Sequence, residues 1–376
     1  MRFLTADYLF PLHRPPIKEG VLRISDNGKV LEIINNRSTV NPEVLEIFNG
    51  IICPGFVNAH CHLELSHLSE TIVKHNGLLN FIKSIIKRDR ILSEEIKMSI
   101  VEAEEQMLAN GIVAVGDISN TADTLFQKKK GNMKYYNFIE TFCIKSEGID
   151  SALSKVIKLR DEFRDNGQKA TIVPHASYSV PPKLMQNISR IFDNEDIILS
   201  IHNQETKSEN ELFINKRGDL FDWLNEMDAS SCIWSKRKNS TDILCELNMR
   251  KILLVHNTFI RKNEITDNHY CTCPKANLYI ENSLPDYSIF DHNKLCVGTD
   301  SLASNNSLSI QDELLEIQRN SDYSLNTLLK IGSKNGAEAL GFDDIGTFEV
   351  GKSPGIIFIE SLDKKNFLEG KLKRII

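Results

Sequence analysis

The chain has 376 residues, long enough for about two to three average domains or for one large α/β domain with an appendage. Apolar residues make up 41% of it, and 45 basic against 51 acidic residues leave a net charge of −6, which excludes a generally polyanion-binding chain and predicts no nucleic-acid partner. The longest aliphatic runs, such as Ile252 to Val255, fall far short of the ~20 residues that span a bilayer, so no membrane association is expected.

At the N-terminus Asp7 and His13 interrupt any apolar region behind Arg2, and no secretory leader is expected. Eight cysteines without a CxxC pair read as reduced thiols, so the expected location is the cytoplasm. The first fifty residues read as short strands: Gly20 to Ile24 and Val30 to Ile34 flank Asp26-Asn27-Gly28-Lys29, a hairpin signal. From residue 51 short apolar strands alternate with amphipathic helices. In one such unit Ser93 is a candidate N-cap and Glu94 and Glu95 suit the first helical turn. Ile96, Ile100, Ala103 and Met107 recur at helical spacing, Gly111 can end the helix, and Ile112 to Val115 follows as a buried strand.

Further candidate strands are Ile51 to Asn58, Tyr135 to Thr141, Thr171 to His175, Ile197 to His202, Lys251 to His256, His269 to Cys273 and Leu295 to Asp300. Eight strands separated by helices over about 280 residues fit a (β/α)8 barrel of the TIM type. A doubly wound open sheet is the alternative, but no GxGxxG follows the first strand. Phe348 to Val350 and Ile356 to Ile359 return to the texture of the N-terminus. Residues 1–50 and 345–376 are therefore expected to form a small β-sandwich beside a barrel of residues 51–344.

In a strand, residues two apart point to one side, so His60 and His62 would project together from the end of the first barrel strand. Two imidazoles so placed suit zinc or ferrous iron; alone, the pair fits two surface histidines equally well. Cys61 should point the other way and pack. Three more polar residues end candidate strands: His202, with Glu205 three residues on; His256; and Asp300. A single histidine after an apolar run is more often structural, yet a barrel brings its strand C-termini to one axis. His60, His62, His202 and Asp300 then offer three nitrogens and a carboxylate to one divalent ion. Asp300 can also take a proton from water, His256 can aim the nucleophile, and Glu205 can protonate a substrate ring nitrogen, unless it is a solvated loop carboxylate.

These features resemble the amidohydrolase superfamily, in the branch of chlorotriazine hydrolases, guanine and cytosine deaminases, and methylthioadenosine/S-adenosylhomocysteine deaminases. The matching stretches are Pro54 to His62, His202 with Glu205, His256, and Gly298-Thr299-Asp300-Ser301 with Ala303-Ser304-Asn305. The resemblance covers essentially the whole chain and implies a single zinc (or iron) ion, hydrolytic deamination and a homodimer. His62-Leu63-Glu64-Leu65-Ser66-His67-Leu68 and Pro174 to Pro182 are similar to aminofutalosine deaminases. In that reading His175 faces the substrate; a structural hydrogen bond is the alternative.

No lysine ends the strand Thr171 to His175, where two-metal relatives carry a bridging one, and Gly351 to Gly355 departs from the usual Gly-Lys-x-Ala-Asp. The long interval between His202 and His256 holds Trp223, Trp234 and Lys236-Arg237-Lys238, and reads as a specificity lid or as a surface elaboration or oligomer contact. Glu64 to Arg90 is a second candidate for pocket walls. The expected substrate is a small amino-substituted nitrogen heterocycle, such as a purine-type nucleoside derivative. Two alternatives are hydrolysis of a cyclic amide (or loss of another leaving group) at the same site, and a metal-binding scaffold without catalysis.

Overall fold

The computed structural model describes residues 1–86, 93–191, 197–229, 239–245, 251–360 and 366–376. Its strands, in chain order, are β1 (Arg2–Leu9), β2 (Ile17–Lys18), β3 (Val21–Ile24), β4 (Val30–Ile34), β5 (Leu45–Pro54), β6 (Phe56–Cys61), β7 (Ile112–Ser119), β8 (Lys134–Thr141), β9 (Lys169–Pro174), β10 (Leu199–Asn203), β11 (Ile252–His256), β12 (His269–Thr272), β13 (Leu295–Val297), β14 (Ile356–Glu360) and β15 (Leu372–Arg374). Helices lie between most of the strands from β6 onward, giving a mixed α/β molecule. Among the described residues no helix is long and apolar enough to cross a membrane.

Both chain ends meet in one seven-stranded sheet of order β15-β14-β5-β1-β3-β4, with β2 beside β1. The hairpin expected around Asn27-Gly28 forms, pairing Val21 with Ile34 and Ile24 with Val30. Leu4, Leu9, Leu22, Ile24, Val30, Ile52, Phe348 and Ile356 make the apolar core of this part. Phe348 contributes from outside any strand, so the strand expected at Phe348 to Val350 is absent.

Eight parallel strands form two sheets, β6-β7-β8-β9 and β10-β11-β12-β13. Isolated parallel bridges join them at both seams, Ala176 to His202 after β9 and Cys61 to Asp300 after β13. The single strand expected at Ile51 to Asn58 is in fact two. Ile51 to Pro54 complete β5 in the end sheet, and β6 begins at Phe56. Both halves are buried, so hydrophobicity alone shows no break. The switch falls at Gly55, where a Cβ atom would lie 2.4 Å from Val113 Cγ1.

The helices bury the faces that their periodicity marks. Ser93–Ala109 presents Ile100, Ala103 and Met107 to the core, and Ile149–Asp165 presents Val156, Leu159 and Phe163. Part of the interval after His202 packs into a separate apolar cluster, in which Leu212, Phe213, Leu220 and Leu224 meet Leu78, Tyr178 and Tyr279. Trp223 joins its edge, whereas Trp234 and Lys236-Arg237-Lys238 lie outside the described residues.

Candidate active site

His60, His202 and His256 lie on the last two positions of their strands, and His62 and His175 immediately follow theirs. Asp300 stands three residues beyond β13, where the bridge to Cys61 draws it to the first strand. Gly298 permits this approach, since a Cβ there would sit 2.6 Å from the His60 carbonyl oxygen. That oxygen instead accepts hydrogen bonds from the amides of Thr299 (3.0 Å) and Asp300 (3.1 Å). Asn58 closes the seam, donating to Thr299 Oγ1 (2.7 Å) and accepting from its amide (3.1 Å). His256 and Asp300 both adopt left-handed backbone, with φ of 69° and 57°. Such non-glycine residues are uncommon, and surrounding structure has to hold them there.

The imidazoles converge. The candidate ligand atoms of His60, His62 and His202 lie within 4.8 Å of one another. Nε2 of His62 is 3.4 Å from Nε2 of His202, and Asp300 Oδ1 is 3.5 Å from Nε2 of His62 and 3.9 Å from that of His60. His202 Nδ1 lies 2.8 Å from the His175 carbonyl oxygen, which can only accept. The proton of neutral His202 therefore sits on Nδ1, and its Nε2 lone pair points into the cluster. His256 is arranged alike, with Nδ1 2.8 Å from Asn277 Oδ1 when the amide oxygen faces the ring. His175 turns Nδ1 to the Ser179 hydroxyl at 2.7 Å, and its ring centroid is 4.8 Å from that of His202.

Burial sets the charge states. Desolvation holds His60 and His62 well below the usual imidazole range, helped by the neighbouring rings. It pushes His175 and His202 down to about 4 and His256 to about 3. Glu205, 5% exposed, has its carboxyl driven far above the normal value by burial and then by Asp300 and Glu209. Its Oε1 lies 3.6 Å from His256 Nε2. Burial raises Asp300 to about 7, against the Ser304 hydroxyl, which donates to its Oδ2 at 2.6 Å.

Neither ring nitrogen of His60 has a hydrogen-bond partner among the described residues, although the residue is fully buried. Buried polar atoms are normally satisfied, so an orphaned imidazole beside two others and a carboxylate fits a cation held in their midst. Three nitrogens and one oxygen are donors that zinc and ferrous iron accept.

Several supporting residues give no signal by sequence spacing. Glu140, at the end of β8, places Oε1 3.6 Å from His202 Nδ1 and accepts from Asn120 Nδ2 at 3.1 Å. Asn277, on the helix Pro274–Glu281, orients His256 from 21 residues away. Glu64, read from sequence as part of a pocket wall, accepts from the amides of Asn120 and Thr121, both at 3.0 Å, and so staples the loop after β7. Asp117 on β7 accepts from the Leu63 amide at 2.9 Å, beside His62, and is itself paired with fully buried Lys128.

The sequence matches the Amidohydrolase family over residues 51–374. An adenosine deaminase of Helicobacter pylori is 25% identical over 319 residues, covering 81% of this chain and 77% of that protein. The solved structure of H. pylori aminofutalosine deaminase in complex with methylthio-coformycin is similar with a TM-score of 0.84 at 21% identity, over 100% of both chains. An adenosine deaminase of Xanthomonas campestris with bound zinc gives 0.71 at 20% identity, over 95% of this chain and 84% of that one. The two structural likenesses show a common fold.

Proposed function

Since the chain belongs to the amidohydrolase family, we propose that it is a hydrolytic deaminase that releases ammonia from an amino-substituted nitrogen heterocycle of the adenosine type, with aminofutalosine-like nucleosides among its substrates. The convergence of His60, His62, His202 and Asp300 beside Glu205 and His256 carries this reading. Similarity to deaminases of such nucleosides supports the substrate class.

The scaffold is read as a closed (β/α)8 barrel that begins with β6 at Phe56 and runs to residue 344, supported by the parallel bridges at both seams. The ends, extended to residue 54 by β5 and resuming at 345–376, are read as its small β-sandwich, supported by the separate core around Leu22 and Phe348.

His60, His62, His202 and Asp300 would hold one divalent ion, zinc before iron. Such an ion, when bound, supplies a nucleophile at neutral pH by lowering the pKa of water to about 7. Asp300 accepts the proton that the attacking water gives up, at Oδ1, because Ser304 occupies Oδ2. His256, with its Nε2 lone pair unpartnered among the described residues, aims that water. Glu205 keeps its proton through burial and passes it to the ring nitrogen next to the amine-bearing carbon. His175 contacts the heterocycle. The exocyclic amine then takes the proton held by Asp300 and leaves as ammonia, while the new hydroxyl gives its proton back to Glu205 and becomes the ring carbonyl.

The test is a coupled ammonia assay of zinc-loaded protein with adenosine, 5′-deoxyadenosine, 5′-methylthioadenosine and aminodeoxyfutalosine. One ammonia per hypoxanthine-nucleoside product is expected from at least one of them. Absence of ammonia from all four, with ring opening of a cyclic amide instead, overturns the reading.

A further inference from the structure

Glu205 stands in a turn whose mounting is unusual. Glu209, four residues later in the short helix Lys207–Asn210, is fully buried and spends both carboxylate oxygens on the backbone that carries Glu205. Its Oε1 accepts from the Gln204 amide and its Oε2 from the Glu205 amide, each at 3.1 Å. Gln204 itself is left-handed, with φ of 47°, a conformation that a residue with a long side chain does not hold unaided.

The clamp is itself held from a distant part of the chain. The Ser240 hydroxyl donates to Glu209 Oε1. Its neighbour Thr241 accepts from Gln204 Nε2 (3.0 Å) and Asn203 Nδ2 (3.2 Å). Asn239 Nδ2 reaches Glu264 Oε1 at 2.6 Å, and Oε2 of the same glutamate accepts from Gln204 Nε2 at 3.1 Å. Ser240 and Thr241, from the long interval between His202 and His256, are thus docked on the turn after β10, with Asn239 tied to it through Glu264.

We infer that Glu209 is a positioning residue for the Glu205 carboxyl and that Ser240 locks it, so that this corner of the interval belongs to the mounting of the proton donor. The inference rests on the proposed role of Glu205. Both acceptors are needed at once. An amide in place of Glu209 offers a single oxygen, and its NH2 group would face a backbone N–H that has no other partner among the described residues. The turn then relaxes, and small displacements of a proton donor are costly because the transition state needs it in line.

Kinetics of Glu209→Gln and Ser240→Ala, with amide hydrogen exchange at Gln204 and Glu205, test this. Glu209→Gln should lower kcat roughly 10- to 100-fold with KM changed less than about threefold, and Ser240→Ala should lower it roughly threefold or more. Both should speed exchange at the two amides while the thermal midpoint moves little. Should Glu209→Gln fail to fold, Ser240→Ala decides alone. Unchanged kcat in an active background, or a kcat loss that merely follows global destabilisation, overturns the inference. If the parent protein releases no ammonia, the deaminase reading fails, and the exchange rates still decide whether Glu209 clamps the turn: acceleration upholds the clamp and unchanged rates overturn it.

Discussion

The Nε2 atoms of His62 and His202 stand 3.4 Å apart, while Nδ1 of His202 is committed to the His175 carbonyl oxygen. The lone pair of His202 therefore faces His62, and two such nitrogens repel unless a proton or a cation lies between them. Burial keeps both rings neutral, so the gap holds either the N–H of one His62 tautomer or a cation. Replacing His202 by Ala should take bound divalent metal well below one ion per chain on elemental analysis, with the fold retained by circular dichroism. Unaltered metal content would remove His202 from the ligand set.

Glu205→Gln separates binding from chemistry. The side chain lies 3.6 Å from His256 and is not among the proposed ligands, so metal should stay at the parent level. Turnover should fall by roughly 10² or more, the usual size of a lost general acid. Activity within a few fold of the parent would assign proton transfer elsewhere.

Asn277 acts through His256. Its carboxamide oxygen, 2.8 Å from Nδ1, selects the tautomer with a free Nε2. Asn277→Ala should let the ring tautomerise and turn, lowering kcat roughly tenfold at nearly constant KM, within the range that general acid–base groups contribute. A KM effect alone would mean that Asn277 shapes the pocket instead.

Lys128 offers a test on stability. Its ammonium is fully buried against Asp117, with Asn137 Oδ1 at 2.7 Å and Ser119 Oγ at 3.2 Å. Lys128→Met strands a buried carboxylate and should cost roughly 3–5 kcal/mol in denaturant unfolding. The double variant with Asp117→Asn should regain much of it. Because Asp117 also holds the Leu63 amide, the single variant should weaken metal retention at neighbouring His62 as well.

The strand ends were legible because chemistry and periodicity coincide there. His60 lies at the end of β6 with His62 just past it, and His202 and His256 each close an apolar run on β10 and β11. The hairpin at Asn27-Gly28 and the buried face of Ser93–Ala109 were legible for the same reason. What escaped was whatever depends on distant partners. The strand from Ile51 to Asn58 divides at Gly55 because two sheets, both buried, compete for one apolar run. Glu140, Glu209 and Asn277 look like ordinary polar residues until the fold sets them against His202, Glu205 and His256. Glu64 follows the His60–His62 pair closely in sequence yet serves the loop at Asn120.

X-ray absorption at the metal edge of zinc-reconstituted protein tests the central arrangement most directly. It should find one zinc per chain, bound by three imidazole nitrogens and one carboxylate oxygen, with solvent completing the shell. Two metals per chain, or fewer than three imidazoles on the ion, would contradict a single centre built from residues 60, 62, 202 and 300.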